Sequence, residues 1–299
     1  MNITFRQLRL FQALADQGSV SAAAKALHVT QPTASMQLKE ITNSIGLPLY
    51  EVIGKKVYLT DMGQQLAAKA RDISQTWESF EQAVHASKGL TQGRLKIAVV
   101  STAKYFMPRL IGSFCKRHPA IDVSLEILNR DGVLERLEHN RDDLYIMSMP
   151  PDDIHLNDEI FMPNPIVVIA ASTSALAKKK QIDMSDLIKQ RFILREKGSG
   201  TRMVADKFFS KIKFHPDVRL ELGSNEAVKE AVAGGLGIGV ISQHALHGHL
   251  KENGTCVIPV QGFPLKSAWH LVHYAAKNLS PVATEFKQHV ITEIKNTSS

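Results

Sequence analysis

Apolar residues recur at helical spacing in the first segments of the chain. Phe5, Leu8, Phe11 and Ala15 share one side of residues 5–17, with Thr4 placed as an N-cap and Gly18 as a stop. Ser21 is placed to cap a short second helix running to Leu27, rich in alanine at Ala22, Ala23 and Ala24. After the turn "HVT", a third helix is predicted from Gln31, capped by Thr30. Pro32 is tolerated there because first-turn amides have no intrahelical acceptor. Ala34, Leu38, Ile41 and Ile45 give this helix a buried side, and Gly46 ends it. "LPLYEVIGKKVYLT" then reads as two short strands around Gly54-Lys55-Lys56.

From Asp61 the period changes. Leu66, Ala70, Ile73, Trp77, Phe80 and Val84 alternate at spacings of four and three, a heptad seam on a helix expected from Thr60 to Gly89. The opposite side carries Gln64, Lys69, Asp72, Gln75 and Glu78, so the seam is assigned to a dimer interface. A hinge is expected at Leu90–Gly93. Beyond it, strand and helix patterns alternate: "RLKIAVV", "AKYFMPRLIGSFCKRHP", "IDVSLEIL", "DGVLERLEHN" and "DDLYIMSM", then "PIVVIAAS", "TRMVADKFFSKI", "DVRLEL", "SNEAVKEAVAGG" and "IGVIS". "AWHLVHY" and "PVATEFKQHVITEI" close the chain as strand and helix. This order predicts an α/β architecture of two lobes with parallel sheets and a ligand cleft at the strand ends. The expected domains are 1–60, a linker over 61–92, and 93–299, with lobe I at about 93–163 and 267–299 and lobe II at about 164–266.

Three helices followed by a basic hairpin form the order of a winged helix-turn-helix. Small residues on the second helix permit close packing, and the third helix presents Gln31, Thr33, Met36 and Glu40, with Ser35 at the boundary. Gln and Thr can bond base edges, and Met can meet a thymine methyl in the major groove. The hydroxyls of Ser21 and Thr30, and the ammonium groups of Lys39, Lys55 and Lys56, suit phosphate. Composition adds little. The net charge of +7 suits an anionic partner, yet residues 1–60 hold only six basic side chains against three acidic ones. No apolar run reaches membrane-spanning length and no secretory signal opens the chain, so a cytoplasmic protein without a membrane partner is expected.

The stretch "FRQLRLFQALADQGSVSAAAKALHVTQPTASMQLKEITNSIGLPLYE", with "GKKVYLTDMGQQL", resembles the LysR-type transcriptional regulators. The family's helix-turn-helix maps onto Ser21 to Glu40, Pro32 included, and its dimerising helix onto about Thr60 to Gly89. "RLKIAVVSTAKYFMPRLIGSFCKRHP", "NRDDLYIMSMPP", "LREKGSGTRMV", "LELGSNEAVKEAVAGGLGIGVIS" and "GFPLKSAWHLVH" resemble the regulators of RuBisCO (Calvin-cycle) operons within that family. The resemblance implies a two-lobed, periplasmic-binding-protein-like (type II) effector domain and a non-enzymatic activator. Its partners would be double-stranded DNA, RNA polymerase and a second copy of the chain, with a tetramer built as a dimer of dimers. Regulation of sulfur, nitrogen or inorganic-carbon uptake is the alternative, and a solute-binding protein the remote one. Met36 stands where many members carry Arg, which removes one guanine or phosphate contact.

Three segments carry candidate ligand chemistry. Ser101, Thr102 and Lys104 lie between a strand and a helix. Ser199, Gly200, Thr201 and Arg202 open another helix, and Asn225 and Glu226 a third. Asn129 ends the second strand of lobe I. Hydroxyls, first-turn amides and cations together suit an anion, with Arg202 placed to grip it through two parallel bonds. No cofactor is expected. The resemblance implies an anionic effector such as a phosphorylated sugar, phosphoglycolate or NADPH. Other signals read as structural. "GGLGIG" follows a helix and precedes a strand, the reverse of a dinucleotide fingerprint. His244, His247 and His249 fit no zinc spacing. Cys115, beside Phe114 and Ile111, reads as a buried thiol.

Overall fold

The computed structural model describes residues 2–54, 56–87, 92–246 and 254–297; for Gln82, His85, Ala86, Ser87 and Thr297 it describes the backbone alone. Lys55, His247 and His249 therefore lie outside the described residues, as do Leu90 and Thr91 of the expected hinge. The chain forms two compact units, the second beginning after the long helix and the first also taking in residues 139–141.

In the first unit, α1 (Phe5–Gln17) starts at a capping box between Thr4 and Gln7 and ends at Gly18 in the left-handed region. Helix α2 (Val20–Ala26) starts two residues earlier than the sequence suggests: Ser19, not Ser21, is its N-cap residue. Ser21 is an exposed first-turn residue, so its hydroxyl is not a capping group. Helix α3 (Gln31–Ile45) is capped by the Thr30 hydroxyl, which accepts from Thr33 N, and stops at left-handed Gly46. Strands β1 (Tyr50–Ile53) and β2 (Lys56–Leu59) pair antiparallel with Ile53 opposite Lys56. Leu10, Phe11, Leu14, Ala23, Ala24, Ala34, Leu38 and Ile41 form the core.

Helix α4 (Asp61–Ser87) is roughly 40 Å long at 1.5 Å per residue. Its first turns pack into the same core. Gly63 is needed there because a Cβ would stand 1.9 Å from the Leu49 carbonyl oxygen. Ala67 and Ala70 are fully buried and Leu66 is half-buried. Arg71 bonds Asp16 of α1 at 2.7 Å, and Ser74 bonds Gln12 at 3.0 Å. The proposed dimer seam is thereby divided. Ala70 is consumed by the chain's own packing, whereas Ile73, Trp77 and Phe80 are about half exposed (45%, 50% and 57%).

The second unit contains two five-stranded sheets. One is built from β3 (Gly93–Val100), β4 (Ile121–Leu128), β5 (Leu144–Met147), β6 (Leu156–Pro163) and β12 (Ala268–Tyr274), in the order β4-β3-β5-β12-β6. The other uses β7 (Ile166–Ala171), β8 (Arg191–Arg195), β9 (Asp217–Leu222), β10 (Ile238–Ser242) and β11 (Thr255–Ile258), in the order β11-β7-β10-β8-β9. Both sheets are mixed, which corrects the parallel expectation. In the first, β12 runs against β5 and β6; in the second, β7 runs against β10 and β11. The reversal follows from the chain crossing between lobes at Asn164, which donates its N–H to Ser267 O at 2.8 Å. Strands β6, β8 and β11 fall outside the segments expected from pattern.

Helices cover the sheets: α5 (Met107–Arg117), α6 (Arg130–Glu138), α7 (Gly200–Lys211), α8 (Asn225–Ala233) and α9 (Pro281–Thr297). The helix expected from Ala103 is broken. Ser101–Tyr105 forms a 3₁₀ turn, and α5 starts after Phe106, with Pro108 in its first turn, where no amide donor is needed. Phe114 takes the core position on α5, leaving the Cys115 thiol half-buried beside it rather than buried. The "GGLGIG" segment is a helix end and tight turn: Gly235 has φ +74°, and a Cβ on Gly237 would meet Arg191 O at 2.2 Å.

Candidate nucleic-acid interface and anion pocket

The exposed side of α3 is fixed by what its other side buries. With Ala34, Leu38 and Ile41 inside, Gln31, Pro32, Ser35, Met36 and Lys39 face outward, Met36 at 56% exposure. Positions 31, 35 and 39 lie one above the other at helical spacing. The structure separates the remaining candidates. Thr33 is half-buried, and its hydroxyl lies 2.8 Å from the Thr30 hydroxyl, so this pair serves the helix start first. Glu40 accepts from Gln7 of α1 at 2.9 Å, which ties it to the head. Lys56 is exposed at the start of β2, and Val57 N donates to Gly18 O at 2.9 Å, anchoring the hairpin to the end of α1. Exposed first-turn amides and hydroxyls beside a surface Gln and Met suit a phosphate backbone and base edges together.

In the second unit, a small cleft lies between the two sheets. Its walls include Ser101, Thr102, Arg130, Ser148, Arg195 and the α7 start at Ser199–Thr201. These groups arrive from strand ends and helix starts, where the backbone turns and side chains converge. Ser199 caps α7, accepting from Arg202 N. Gly200 lets the lobes approach: a Cβ on it would stand 2.1 Å from Ser148 Oγ. Trp269 also lines the cleft, and its indole N–H has no hydrogen-bond partner among the described residues.

Arg195, which pattern reading passed over, is the central cation. It is 3% exposed. Its Nε and Nη2 donate to the two Glu196 oxygens at 2.7 and 2.8 Å, and its Nη1 to Asn225 Oδ1 at 3.0 Å. Longer contacts reach Ser101 at 3.4 Å and Thr102 at 3.5 Å in the other lobe. Asn225 Nδ2 also donates to Thr102 at 2.9 Å, a second bond between the lobes. Asn225 therefore orients Arg195 and Thr102 instead of lining the cleft. The only advance signal for Arg195 was its place at the end of a short apolar run, "RFILR", just before a glycine-rich helix start.

Three other expectations are corrected. Arg202 does not line this cleft: its Nε donates to Asp206 at 2.9 Å, and its Nη1 to Glu221 and Arg195 O, both at 2.9 Å. Asn129 caps α6, accepting from Gly132 N at 2.9 Å. Lys104 and Glu226 form an ion pair at 2.9 Å, and the Tyr105 hydroxyl donates to the same carboxylate. Burial would raise the Glu226 pKa, but the bonds from Tyr105 and Lys104 outweigh it and hold the carboxyl at about 2. Burial, reinforced by Glu226, pushes the Tyr105 phenol well above its ordinary value. This trio joins the 3₁₀ turn of one lobe to α8 of the other.

Comparison with known proteins places these regions. Residues 5–64 match the model of the bacterial regulatory helix-turn-helix protein, lysR family, and residues 88–295 match the LysR substrate binding domain. The chain is 43% identical to a RuBisCO operon transcriptional regulator of Acidithiobacillus ferrooxidans, over 96% of this chain and 93% of that protein. It is 42% identical to the HTH-type transcriptional activator CmpR of a Synechocystis strain, over 97% and 95%. Among solved structures, the regulatory domain of Synechocystis CcmR in complex with 2-PG is 44% identical, with a TM-score of 0.66, over 69% of this chain and 99% of that one.

Proposed function

The chain belongs to the LysR family of bacterial transcriptional regulators, and from that membership we propose that it controls carbon-fixation genes in response to a small phosphorylated carboxylate held at Arg195. Regulators of this family are not enzymes. The helix-turn-helix at residues 5–64 sets aside the solute-binding alternative.

One observation carries the effector reading. Two arginines, the hydroxyls of Ser101, Thr102 and Ser148, and the start of α7 surround one cleft, in the part of the chain similar to a regulatory domain solved with 2-PG. Taken as 2-phosphoglycolate, that ligand carries a phosphate and a carboxylate, and the two cationic side chains suit its two anionic ends. The cleft bridges both lobes, so a ligand with higher affinity for one arrangement shifts the population toward it.

At the other end of the chain, Gln31, Ser35 and Met36 read base edges while Thr30, Lys39, Lys55 and Lys56 hold phosphate. Ile73, Trp77 and Phe80 cover each other in a pair of α4 helices, and two such dimers form the DNA-bound tetramer. RNA polymerase is the downstream partner, and the cytoplasm the compartment. The deciding experiment is footprinting with a bending assay on DNA upstream of the chain's own gene and of RuBisCO genes. Selective protection that changes with 2-phosphoglycolate is expected; protection indifferent to every phosphorylated metabolite removes the effector role.

A further inference from the structure

Arg195 raises a question of charge. It is the most deeply buried cation on the cleft wall, yet an anion arriving there does not meet a bare guanidinium. Glu196 already occupies the side-on edge, with both of its oxygens at 2.7–2.8 Å from Nε and Nη2. Paired bonds of this kind are the strong form of an arginine–carboxylate contact. The other contacts of the guanidinium are longer, at 3.3 Å to Gly223 O in its own lobe and at 3.4 Å to Ser101 and 3.5 Å to Thr102 in the other. Asn225 alone holds Nη1 at a short distance, 3.0 Å. Arg202, whose Nη1 donates to Arg195 O, is itself engaged by Asp206 and Glu221.

We propose that Glu196 is an internal counter-anion that sets the affinity of the pocket, so that an effector's phosphate or carboxylate competes with it for Arg195. The inference rests on the reading of this cleft as the effector site. Physically, the Glu196 charge lowers the attraction for every anion that reaches Arg195, and most for the most highly charged. An ambient monoanion then gains too little from half-neutralised Arg195 to hold the lobes together. A ligand with two anionic groups also reaches Arg130 and the α7 amides, and offsets the loss. Glu196 is thus a specificity-determining residue that does not line the cleft itself.

Glu196→Gln keeps the shape and a hydrogen-bond acceptor while removing the charge. Its side chain is 25% exposed, so the substitution is compatible with folding, and thermal melting checks this. Calorimetry on the full chain with 2-phosphoglycolate should show binding about 10- to 100-fold tighter than wild type, the range of one charged hydrogen-bonded contact. The gain should be smaller for glycolate and should disappear in an Arg195→Met background, a cycle that a merely structural role would not reproduce. Unchanged or weaker binding in Glu196→Gln overturns the inference. Sulfate serves as the second probe. If 2-phosphoglycolate fails with wild type but sulfate binds and is tightened by Glu196→Gln, the inference stands and the effector's identity falls. If neither anion binds wild type or variant, both fall together.

Discussion

The two functional regions are built in opposite ways. On α3 every candidate contact comes from one nine-residue stretch, Gln31 to Lys39, and points outward because its neighbours point inward. In the Arg195 cleft the groups come from segments spread between Val100 and Trp269. The first surface is ready for a large rigid polyanion. The second is centred on a buried arginine already bonded to Glu196 and Asn225, so a ligand at Arg195 must replace contacts rather than add them. Exposed sites trade stability for reach; buried sites trade affinity for selectivity.

The comparison breaks most visibly at the α3 core. Leu38→Ala should cost about 2–5 kcal/mol of head stability and abolish binding to every duplex, since Leu38 is fully buried. Met36→Ala, two residues away on the outer side, should stay within about 0.5 kcal/mol in denaturant melts. Equal destabilisation would mean that the surface assignment is wrong.

Next come the two arginines of the second unit. Arg195→Ala should remove the calorimetric signal of the effector while leaving basal DNA affinity near wild type. Arg202→Ala should instead lower the melting temperature, because Asp206 and Glu221 lose their shared partner. A reversal of these two phenotypes would restore Arg202 to the ligand site.

Smaller effects separate base reading from phosphate holding. Gln31→Ala should narrow discrimination between cognate and scrambled duplexes by about 1–3 kcal/mol. Lys56→Ala should weaken both alike and flatten the salt dependence by about one unit. Equal loss on both duplexes for Gln31→Ala would contradict edge recognition.

The smallest expected effect concerns Glu226. Its carboxyl sits at about 2 in the fold, below its ordinary value of 4.5. The latch to Lys104 and Tyr105 therefore contributes fully above about pH 4.5 and is lost as pH falls toward 2. Glu226→Gln should remove that part of the acid dependence of the second unit's melting. An unchanged acid limb would show that the latch carries no folding energy.

Legibility in the sequence followed the range of the forces involved. Helices α1 and α3 and their caps could be read from Thr4, Thr30, Gly18 and Gly46, because capping and amphipathicity act within a few residues. The cap of α2 was misplaced by two residues: Ser19 and Ser21 offer the same chemistry, and only the entry of the chain selects between them. The heptad on α4 was visible, but not that α1 would claim its first half.

By itself, then, the order of apolar and polar residues determined the winged head, the long helix, the two α/β lobes and the outward side of α3. Each depends on periodicity and local backbone chemistry. Tertiary structure alone decided that the sheets are mixed, that Arg195 and not Arg202 faces the cleft, and that Glu226 joins the lobes. Those outcomes depend on which distant segments meet, such as Lys104 with Glu226, Arg202 with Glu221, or β12 with β5 and β6, and no local periodicity encodes it.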